Sequence, residues 1–260
     1  DFRVADETLS LLRQMTAEGM LDELSPERVW RELSRALLSE HPQSFFELLR
    51  ECAALAVVLP ELEAQFGKPQ PPRYHPEIDS GLHTLMALQA AAREKRSLAV
   101  RFAVLCHDFG KGTTPEEMLP SHRGHEQRGL PLVSAVCERL RVPKDCRALA
   151  ELVCVWHLHS HRAAELRPET LLKVLQAADA FRRPAQLESF LQACQADAQG
   201  RTGFEDCDYP QVGIFRRALD AAATVDAAAI AKATPPAKIA EALRRARVQA
   251  IAASHTTRPS

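Results

Sequence analysis

The sequence lacks several features that would assign it to a specialised class of protein. Its 260 residues carry a formal net charge of −1, so no overall field attracts the chain to nucleic acid or to a membrane. No apolar run approaches the length of a bilayer span. No two of its seven cysteines form a CxxC pair, which argues against zinc-finger and thioredoxin-like proteins. We expect the cysteines to be buried, reduced thiols of a cytoplasmic protein.

The first residues contain no leader pattern. Asp1-Phe2-Arg3-Val4 has no Met and no charged segment followed by an apolar one, so we expect no signal peptide. A start of this kind suggests a fragment of a longer protein.

Strand-like alternation of useful length is also absent, and helical periodicity dominates instead. The segment SPERVWRELSRALL begins with Ser25 as N-cap and Pro26 at the first helical position, and its apolar residues recur on one face. The segments HPQSFFELLRECAAL and RPETLLKVLQAAD repeat this pattern. The sequence therefore predicts an all-α fold without a solenoid repeat.

Prolines mark the main boundary in the chain. The segment FGKPQPPRYHPE holds four prolines, which a helix does not tolerate. We predict that it is a rigid loop between a helical body segment, residues 1–68, and a domain of residues 72–184. A softer break near Pro184 precedes an alanine-rich helical tail, residues 185–260.

Histidine and aspartate side chains lie on predicted helix faces that should be buried. His83 shares a face with apolar residues in DSGLHTLMALQAAA, and His107 does so at the end of SLAVRFAVLC. Asp179 lies four residues after Leu175 in LLKVLQAAD, on the same face. A carboxylate on an apolar face costs free energy unless a positive charge compensates it. A divalent metal would supply that charge if it were bound by His83, His107, Asp108 and Asp179.

The chemistry of such a site suits phosphate. Two imidazoles and two carboxylates leave positions on a six-coordinate metal for water and a phosphate oxygen. In LCHDFGKG, Gly110 and Gly112 should end the helix and clear room for a substrate, and Lys111 offers a point charge. The alternative is that each histidine is a satisfied core residue, as most lone histidines on apolar faces are. The ordered combination His, His-Asp, Asp, with Gly-Lys-Gly after the pair, favours the metal site.

These residues resemble a known family, the HD superfamily of metal-dependent phosphohydrolases. The stretches PPRYHPEIDSGLHTLMAL, RFAVLCHDFGKGTTPEEMLPSHRGHEQRG, ADAFRRP and ADAQGRTGFED are similar to the C-terminal half of bacterial multifunctional CCA-adding enzymes. The resemblance implies a helical HD domain between helical body and tail segments, acting as a phosphatase, 2′-nucleotidase and 2′,3′-cyclic phosphodiesterase. It implies nickel or magnesium as cofactor, with manganese or cobalt as alternatives. The implied substrates are a tRNA 3′ end or 2′,3′-cyclic nucleotides.

The resemblance also implies roles for single residues. Asp108, Lys111 and His125 are the expected catalytic residues: Asp108 holds the metal, Lys111 steadies the non-bridging oxygens and His125 assists the leaving oxygen. Some HD proteins place extra histidines in the segment SHRGHEQRG for a second metal or for the phosphate, and His125 is a better candidate than His122. At most one or two histidines of VWHLHSHR can face the site, and we favour His157.

Asp206 and Asp208 in EDCDYP resemble the paired carboxylates of a nucleotidyltransferase. They precede Tyr209-Pro210 in a predicted loop, whereas such carboxylates normally lie on a strand after a Gly-rich turn. The Gly-rich turn and the nucleotide-reading template of CCA-adding enzymes are missing from this sequence. We therefore expect no nucleotidyltransferase head in these 260 residues.

Basic residues suggest where RNA would bind. Arg244, Arg245 and Arg247 cluster near the end, and Arg182-Arg183 follow Asp179. A solvated face is the simpler interpretation, while the resemblance implies contacts with the body of a tRNA. We expect no membrane partner and leave a homodimer open. A tRNA-binding scaffold and a catalytically degenerate HD fold are the alternative functions.

Overall fold

Helices account for the regular structure of this protein in a computed structural model that describes residues 4–256. Between these residues the only extended pairing is an isolated bridge of Pro69 with Asp79, so the predicted all-α fold is confirmed. No helix in the described range is both long and apolar enough to cross a bilayer. Asp1-Phe2-Arg3, from which we expect no signal peptide, lies outside that range.

Contacts between Cα atoms divide the chain into two units, which we call the first unit and the second unit. Their bounds are Asp1–His157 with Gln192–Cys207 for the first, and Leu158–Leu191 with Asp208–Ser260 for the second. The units do not coincide with the three segments predicted from the proline-rich loop and the break near Pro184. Those segment boundaries stay a prediction about the sequence.

Nine helices begin in the described part of the first unit: α1 (Asp6–Ala17), α2 (Pro26–Leu38), α3 (Gln43–Glu51), α4 (Leu55–Val58), α5 (Pro60–Glu63), α6 (Ser80–Arg93), α7 (Leu98–Cys106), α8 (His125–Arg139) and α9 (Lys144–His161). The predicted start of α2 is confirmed, because Ser25 accepts a hydrogen bond from the backbone N–H of Arg28 and Pro26 is the first helical residue. Leu33 and Leu37 form its buried face.

Five helices begin in the described part of the second unit: α10 (Pro168–Ala177), α11 (Pro184–Gln199), α12 (Gln211–Ala223), α13 (Ala227–Ala233) and α14 (Ile239–Thr256). Four apolar residues of α10 are fully buried, and this helix contacts α12 and α14. α11 begins in the second unit and ends in the first.

Side-chain caps set the starts of α6, which carries His83, and of α7, which ends just before His107. Asp79 caps α6 by accepting a hydrogen bond from the backbone N–H of Leu82, and Ser97 caps α7 in the same way from Val100. α7 is buried all round from Val100 to Cys106, which suits a sequence that is apolar except for Arg101.

The predicted burial of the cysteines is confirmed for six of the seven. All seven are free thiols, and all but Cys207 are buried. Burial raises the pKa of the Cys154 thiol to about 12, so this thiol stays protonated at neutral pH.

Candidate metal centre

The His-Asp pair lies where α7 gives way to a 3₁₀ turn, Phe109–Lys111. α7 ends at Cys106, so His107 is its C-cap and keeps helical angles, whereas Asp108 leaves the helix with φ of −109°. Both side chains are 1% exposed. Because their backbone angles differ, these adjacent residues direct both side chains into the same buried space. The end of the helix thus brings a histidine and an aspartate together.

Glycines let the 3₁₀ turn contact α8 closely. A Cβ on Gly110 would lie 2.0 Å from the backbone O of His125 and 2.6 Å from the backbone N of Gly129. A Cβ on Gly112 would lie 2.9 Å from the Cβ of Ala64. Both glycines therefore allow close packing. The predictions that they end the helix, which already stops at Cys106, and that they clear room for a substrate are wrong. The packing places His125, the first residue of α8, beside the His-Asp pair.

Asp108, His125 and His157 form one group of candidate ligands, which we call the Asp108 cluster. Asp108 Oδ1 lies 3.1 Å from His125 Nε2 and 3.6 Å from His157 Nε2, and the two Nε2 atoms are 3.2 Å apart. The structure thus brings together the two histidines that the sequence favoured. His122 is directed elsewhere, because its Nε2 lies 3.1 Å from the carbonyl oxygen of Pro69.

His83, His107 and Asp197 form a second group, which we call the His83 cluster. Asp197 Oδ1 lies 3.0 Å from His83 Nε2 and 3.6 Å from His107 Nε2. His107 Nε2 also lies 3.1 Å from Asp108 Oδ2. The two clusters are therefore contiguous, and both belong to the first unit.

Asp197 is a residue that the sequence analysis missed. It lies on α11, four residues after the buried Ala193, so the spacing rule that selected Asp179 also fits it. A Cβ on Gly200 would lie 2.3 Å from the Cα of Ala87. The end of α11 therefore touches α6 one turn after His83, and this contact brings Asp197 into the cluster.

Asp179, the predicted fourth ligand, lies in the second unit and is absent from both clusters. α10 ends at Ala177, and Asp179 has a left-handed φ of 48°. The N–H groups of Asp179 and Ala180 bond to carbonyls in the last turn of α10, which is a Schellman motif. The side chain of Asp179 is 36% exposed and faces Arg183. The prediction of a buried aspartate on an apolar helix face is wrong, because the helix ends two residues earlier.

Backbone carbonyls orient three of the four histidines. The Nδ1 atoms of His107, His125 and His157 lie 2.6, 2.9 and 3.0 Å from carbonyl oxygens three or four residues earlier in the chain. Because a carbonyl only accepts, each Nδ1 is assigned the proton, and each Nε2 faces the clusters. His83 is the exception, since its Nδ1 lies 2.9 Å from Glu77 Oε1.

The buried atoms of the two clusters fit a divalent cation. His107 Nε2 and Asp108 Oδ1 are buried, and no group in the described range meets them with hydrogen-bond geometry. The Nε2 atoms of His125 and His157, at 3.2 Å, repel each other unless a proton or a cation lies between them. Neighbouring ligands on an octahedral metal at ~2.1 Å are about 3 Å apart, which is close to the separations within each cluster.

Burial and neighbouring charges shift the pKa values of His107 and Asp108 in opposite directions. Burial lowers the pKa of His107, but the carboxylates of Asp108 and Asp197 outweigh it and raise that pKa to about 9. Burial opposes the charged form of Asp108, yet His107 and Lys111 hold its pKa well below the usual range. Burial lowers the pKa of His157 far below the ordinary value. His157 is therefore a neutral imidazole, the form that binds metals.

Lys111 lies inside the centre. Its Nζ is 2.6 Å from Asp108 Oδ2 and 2.5 Å from Gln70 Oε1. Gln70 is buried, and its Nε2 has no hydrogen-bond partner among the described residues. A positive charge held beside the candidate ligands can reach a phosphate bound there. The sequence analysis missed Gln70 because it lies in the proline-rich loop, where periodicity carries no signal.

The aspartate pair that resembles a nucleotidyltransferase site and the basic residues near the end of the chain lie outside both clusters. Asp206 and Asp208 are exposed in a loop without helix or strand, so the prediction that they are loop residues is confirmed. Arg244 and Arg245 are exposed on α14, whereas Arg247 is partly buried, with its guanidinium 3.9 Å from the ring centroid of Phe181.

Two family models match the sequence. The family described as "Probable RNA and SrmB- binding site of polymerase A" matches residues 1–66, and the family described as "HD domain" matches residues 81–183. The second match includes His83, His107 and Asp108 and ends before Asp197.

Curated relatives extend this similarity to nearly the whole chain. A protein of Alkalilimnicola ehrlichii is 57% identical over 253 residues, which are 97% of this chain and 61% of the relative. One of Thioalkalivibrio sulfidiphilus is 55% identical over 251 residues, 96% of this chain and 61% of the relative. One of Paraburkholderia phymatum is 50% identical over 262 residues, 100% of this chain and 63% of the relative. All three are named "Multifunctional CCA protein", and this chain spans about three fifths of their length.

Proposed function

Because the chain belongs to the family of the multifunctional CCA proteins and carries a domain of the HD superfamily of metal-dependent phosphohydrolases, we propose that it hydrolyses phosphoesters at the metal centre of the first unit. Two contiguous buried clusters with unpartnered ligand atoms support this proposal. A catalytically degenerate fold would have no need to keep such atoms buried at the cost of their desolvation.

We assign ligands by cluster. The His83 cluster and Asp108 hold one divalent metal, so Asp197 takes the place that the sequence gave to Asp179. The Asp108 cluster holds a second metal or the phosphate itself. A divalent metal in this centre supplies positive charge to a phosphoryl group and lowers the pKa of water. We propose nickel or magnesium, since imidazole ligands suit nickel and carboxylate ligands suit magnesium.

The side chains around the ligands position the substrate. Lys111, held between Asp108 and Gln70, steadies the non-bridging oxygens of the phosphate. His125 has its Nδ1–H committed to a backbone carbonyl, so when the Asp108 cluster holds the phosphate and not a second metal, it exchanges a proton with a leaving oxygen through Nε2. Because Lys111 acts on charge, its replacement by Ala should lower turnover by ~10²-fold, with metal content unchanged.

The favoured substrates are 2′,3′-cyclic phosphates and 2′-phosphates, as a free nucleotide or at a tRNA 3′ end. One or two metals and Lys111 neutralise a single phosphoester, whereas a triphosphate needs a Gly-rich cradle that this sequence does not contain. The match of residues 1–66 to a probable RNA-binding family supports a tRNA substrate. The exposed Arg244 and Arg245 would contact its phosphates.

Hydrolysis of 2′,3′-cyclic AMP, 2′-AMP, 3′-AMP and dGTP at one nickel or magnesium concentration tests this proposal. We expect the cyclic and 2′-phosphates to react fastest and His107→Ala to abolish activity with its helicity intact. A strong preference for dGTP would indicate an enzyme of the nucleotide pool. Binding of tRNA without any hydrolysis would favour the scaffold alternative.

The same chain should not add nucleotides to a tRNA that lacks its CCA end. The pair that resembles the carboxylates of a nucleotidyltransferase, Asp206 and Asp208, is exposed in a loop. Extension of such a tRNA by residues 1–260 with CTP and ATP would contradict this expectation.

A further inference from the structure

His83 depends on a side chain for its orientation, unlike the other three histidines of the centre. Its Nε2 lies 3.0 Å from Asp197 Oδ1, inside the His83 cluster, and its Nδ1 lies 2.9 Å from Glu77 Oε1, outside that cluster. A carboxylate only accepts hydrogen bonds when ionised. Asp197 beside Nε2 and Glu77 beside Nδ1 can therefore each accept a ring proton. When Nε2 binds a cation, the ring proton lies on Nδ1, and Glu77 is the carboxylate that faces it.

We propose that Glu77 is a positioning residue that holds His83 in the ring orientation and tautomer required for metal binding. The proposal rests on the metal centre of the proposed function. It adds a residue of the proline-rich loop, which precedes α6, to the groups that determine metal affinity. Metal-binding histidines commonly donate their second N–H to a carboxylate, and loss of that carboxylate lowers affinity by ~10–100-fold.

Contacts on every side fix Glu77 in place. Its side chain is 3% exposed. Oε1 also accepts a hydrogen bond from His75 Nδ1 at 2.9 Å, and Oε2 accepts one from the backbone N–H of Thr202 at 3.3 Å. Thr202 follows the end of α11, the helix that carries Asp197. One carboxylate thus connects the loop before α6, the His83 ring and the segment after α11.

A purely structural role for Glu77 makes a different prediction. If Glu77 only joined loops, its loss would lower the stability of the fold. An equally destabilising change elsewhere in the first unit would then weaken metal binding to the same extent. If Glu77 orients His83, the effect depends on an acceptor at this position. A glutamine keeps an oxygen that can accept the Nδ1 proton, whereas a methionine of similar size keeps no comparable acceptor.

Calorimetric titration of the full 260-residue protein with nickel separates a positioning role of Glu77 from a purely structural one. We expect Glu77→Met to weaken nickel binding by ~10–100-fold and Glu77→Gln to weaken it clearly less. Glu61→Ala is the matched control, because Glu61 forms an ion pair with Arg139 in the same unit at 2.7 Å and touches neither cluster. Equal affinity of wild type and Glu77→Met, or an equal loss in Glu61→Ala, would overturn the proposal.

A second measurement uses the metal-free wild-type protein alone and therefore does not depend on whether a variant folds. In ¹⁵N-histidine spectra of the metal-free wild type, the Nδ1–H of His83 should give a proton resonance protected from exchange, because it is buried and lies 2.9 Å from a carboxylate oxygen. Its absence would overturn the role of Glu77. A wild type that shows this resonance but binds no nickel or magnesium would instead overturn the proposed function and leave the orientation of His83 supported.

Discussion

Asp197 and Asp179 have similar sequence surroundings and opposite environments. Each lies four residues after a buried apolar residue of a helix. The Asp197 side chain is 8% exposed and lies beside two histidines, whereas the Asp179 side chain is 36% exposed and lies in a turn beside Arg183. A buried carboxylate needs a compensating cation, but water already stabilises a half-exposed one. The comparison teaches that burial, and not spacing along the chain, marks an aspartate as a candidate ligand.

Loss of Asp108 should have the largest effect, because this buried carboxylate reaches both clusters. We expect Asp108→Ala to remove bound metal and phosphohydrolase activity together and to leave helicity intact. Elemental analysis, a phosphatase assay and far-UV circular dichroism measure the three quantities. The exposed Asp208 supplies the control, since Asp208→Ala should change none of them. Full activity in Asp108→Ala would rule out the metal centre as the active site.

Replacing each of the two compared aspartates by asparagine should show the next largest effect, at Asp197. We expect Asp197→Asn to weaken nickel binding by at least ~10-fold, since it removes a ligand charge from a buried site. Asp179→Asn should leave affinity and stability unchanged, because asparagine accepts the left-handed conformation at a helix end. Calorimetric titration of both variants makes the comparison. A loss in Asp179→Asn alone would restore the ligand set predicted from the sequence.

A substitution at Gly110, where the 3₁₀ turn packs against α8, should have a smaller effect, which we expect on the free energy of unfolding. Gly110→Ala places a Cβ 2.0 Å from a backbone oxygen of α8, so we expect a loss of ~1–3 kcal/mol in the free energy of unfolding. Gly213→Ala in the first turn of α12 is the control, because its added Cβ would meet the end of the exposed Arg217 side chain, at 3.1 Å, and no backbone atom, so we expect no loss of stability there. Urea unfolding measures both. An unchanged midpoint for Gly110→Ala would show that the contact between the 3₁₀ turn and α8 relaxes easily.

The smallest effect should come from an exposed ion pair of the second unit. Arg216 lowers the pKa of Glu188 below its ordinary value by hydrogen bonding to it. The folded pKa is thus below the unfolded one, so the pair stabilises the fold above about pH 4.5, and this contribution disappears as the pH falls further. Both side chains are more than a third exposed, so we expect under ~1 kcal/mol. A double-mutant cycle at pH 7 and pH 3 tests this, and a larger coupling at pH 3 would contradict it.

Sequence patterns predicted the helices well because capping and periodicity are local. Ser25 and Pro26 start α2 as expected, whereas α7 ends at Cys106, earlier than the glycines of LCHDFGKG indicated. The pairing of His107 with Asp108 at that helix end needed no tertiary information. The all-α fold follows from such local signals repeated along the chain.

The parts of the centre that could not be predicted depend on contacts distant in sequence. Asp197 is 114 residues from His83, and only the close approach at Gly200 brings it there. Glu77 and Gln70 lie in a loop whose prolines exclude a helix but do not indicate where side chains point. The error at Asp179 has a different cause, since the spacing rule assumed that α10 continues beyond Ala177.

The near-complete burial of the ligands also affects how fast a metal exchanges. His107 and Asp108 are 1% exposed, and three of the rings are held by backbone carbonyls, so few side-chain rotations can open a path to the centre. Release of a bound ion would then require local unfolding of the surrounding helices, which is rarer than the motion of a surface loop. We expect the occupied protein to keep its metal through dialysis and to lose it to a chelator over hours, at a rate that rises steeply with temperature.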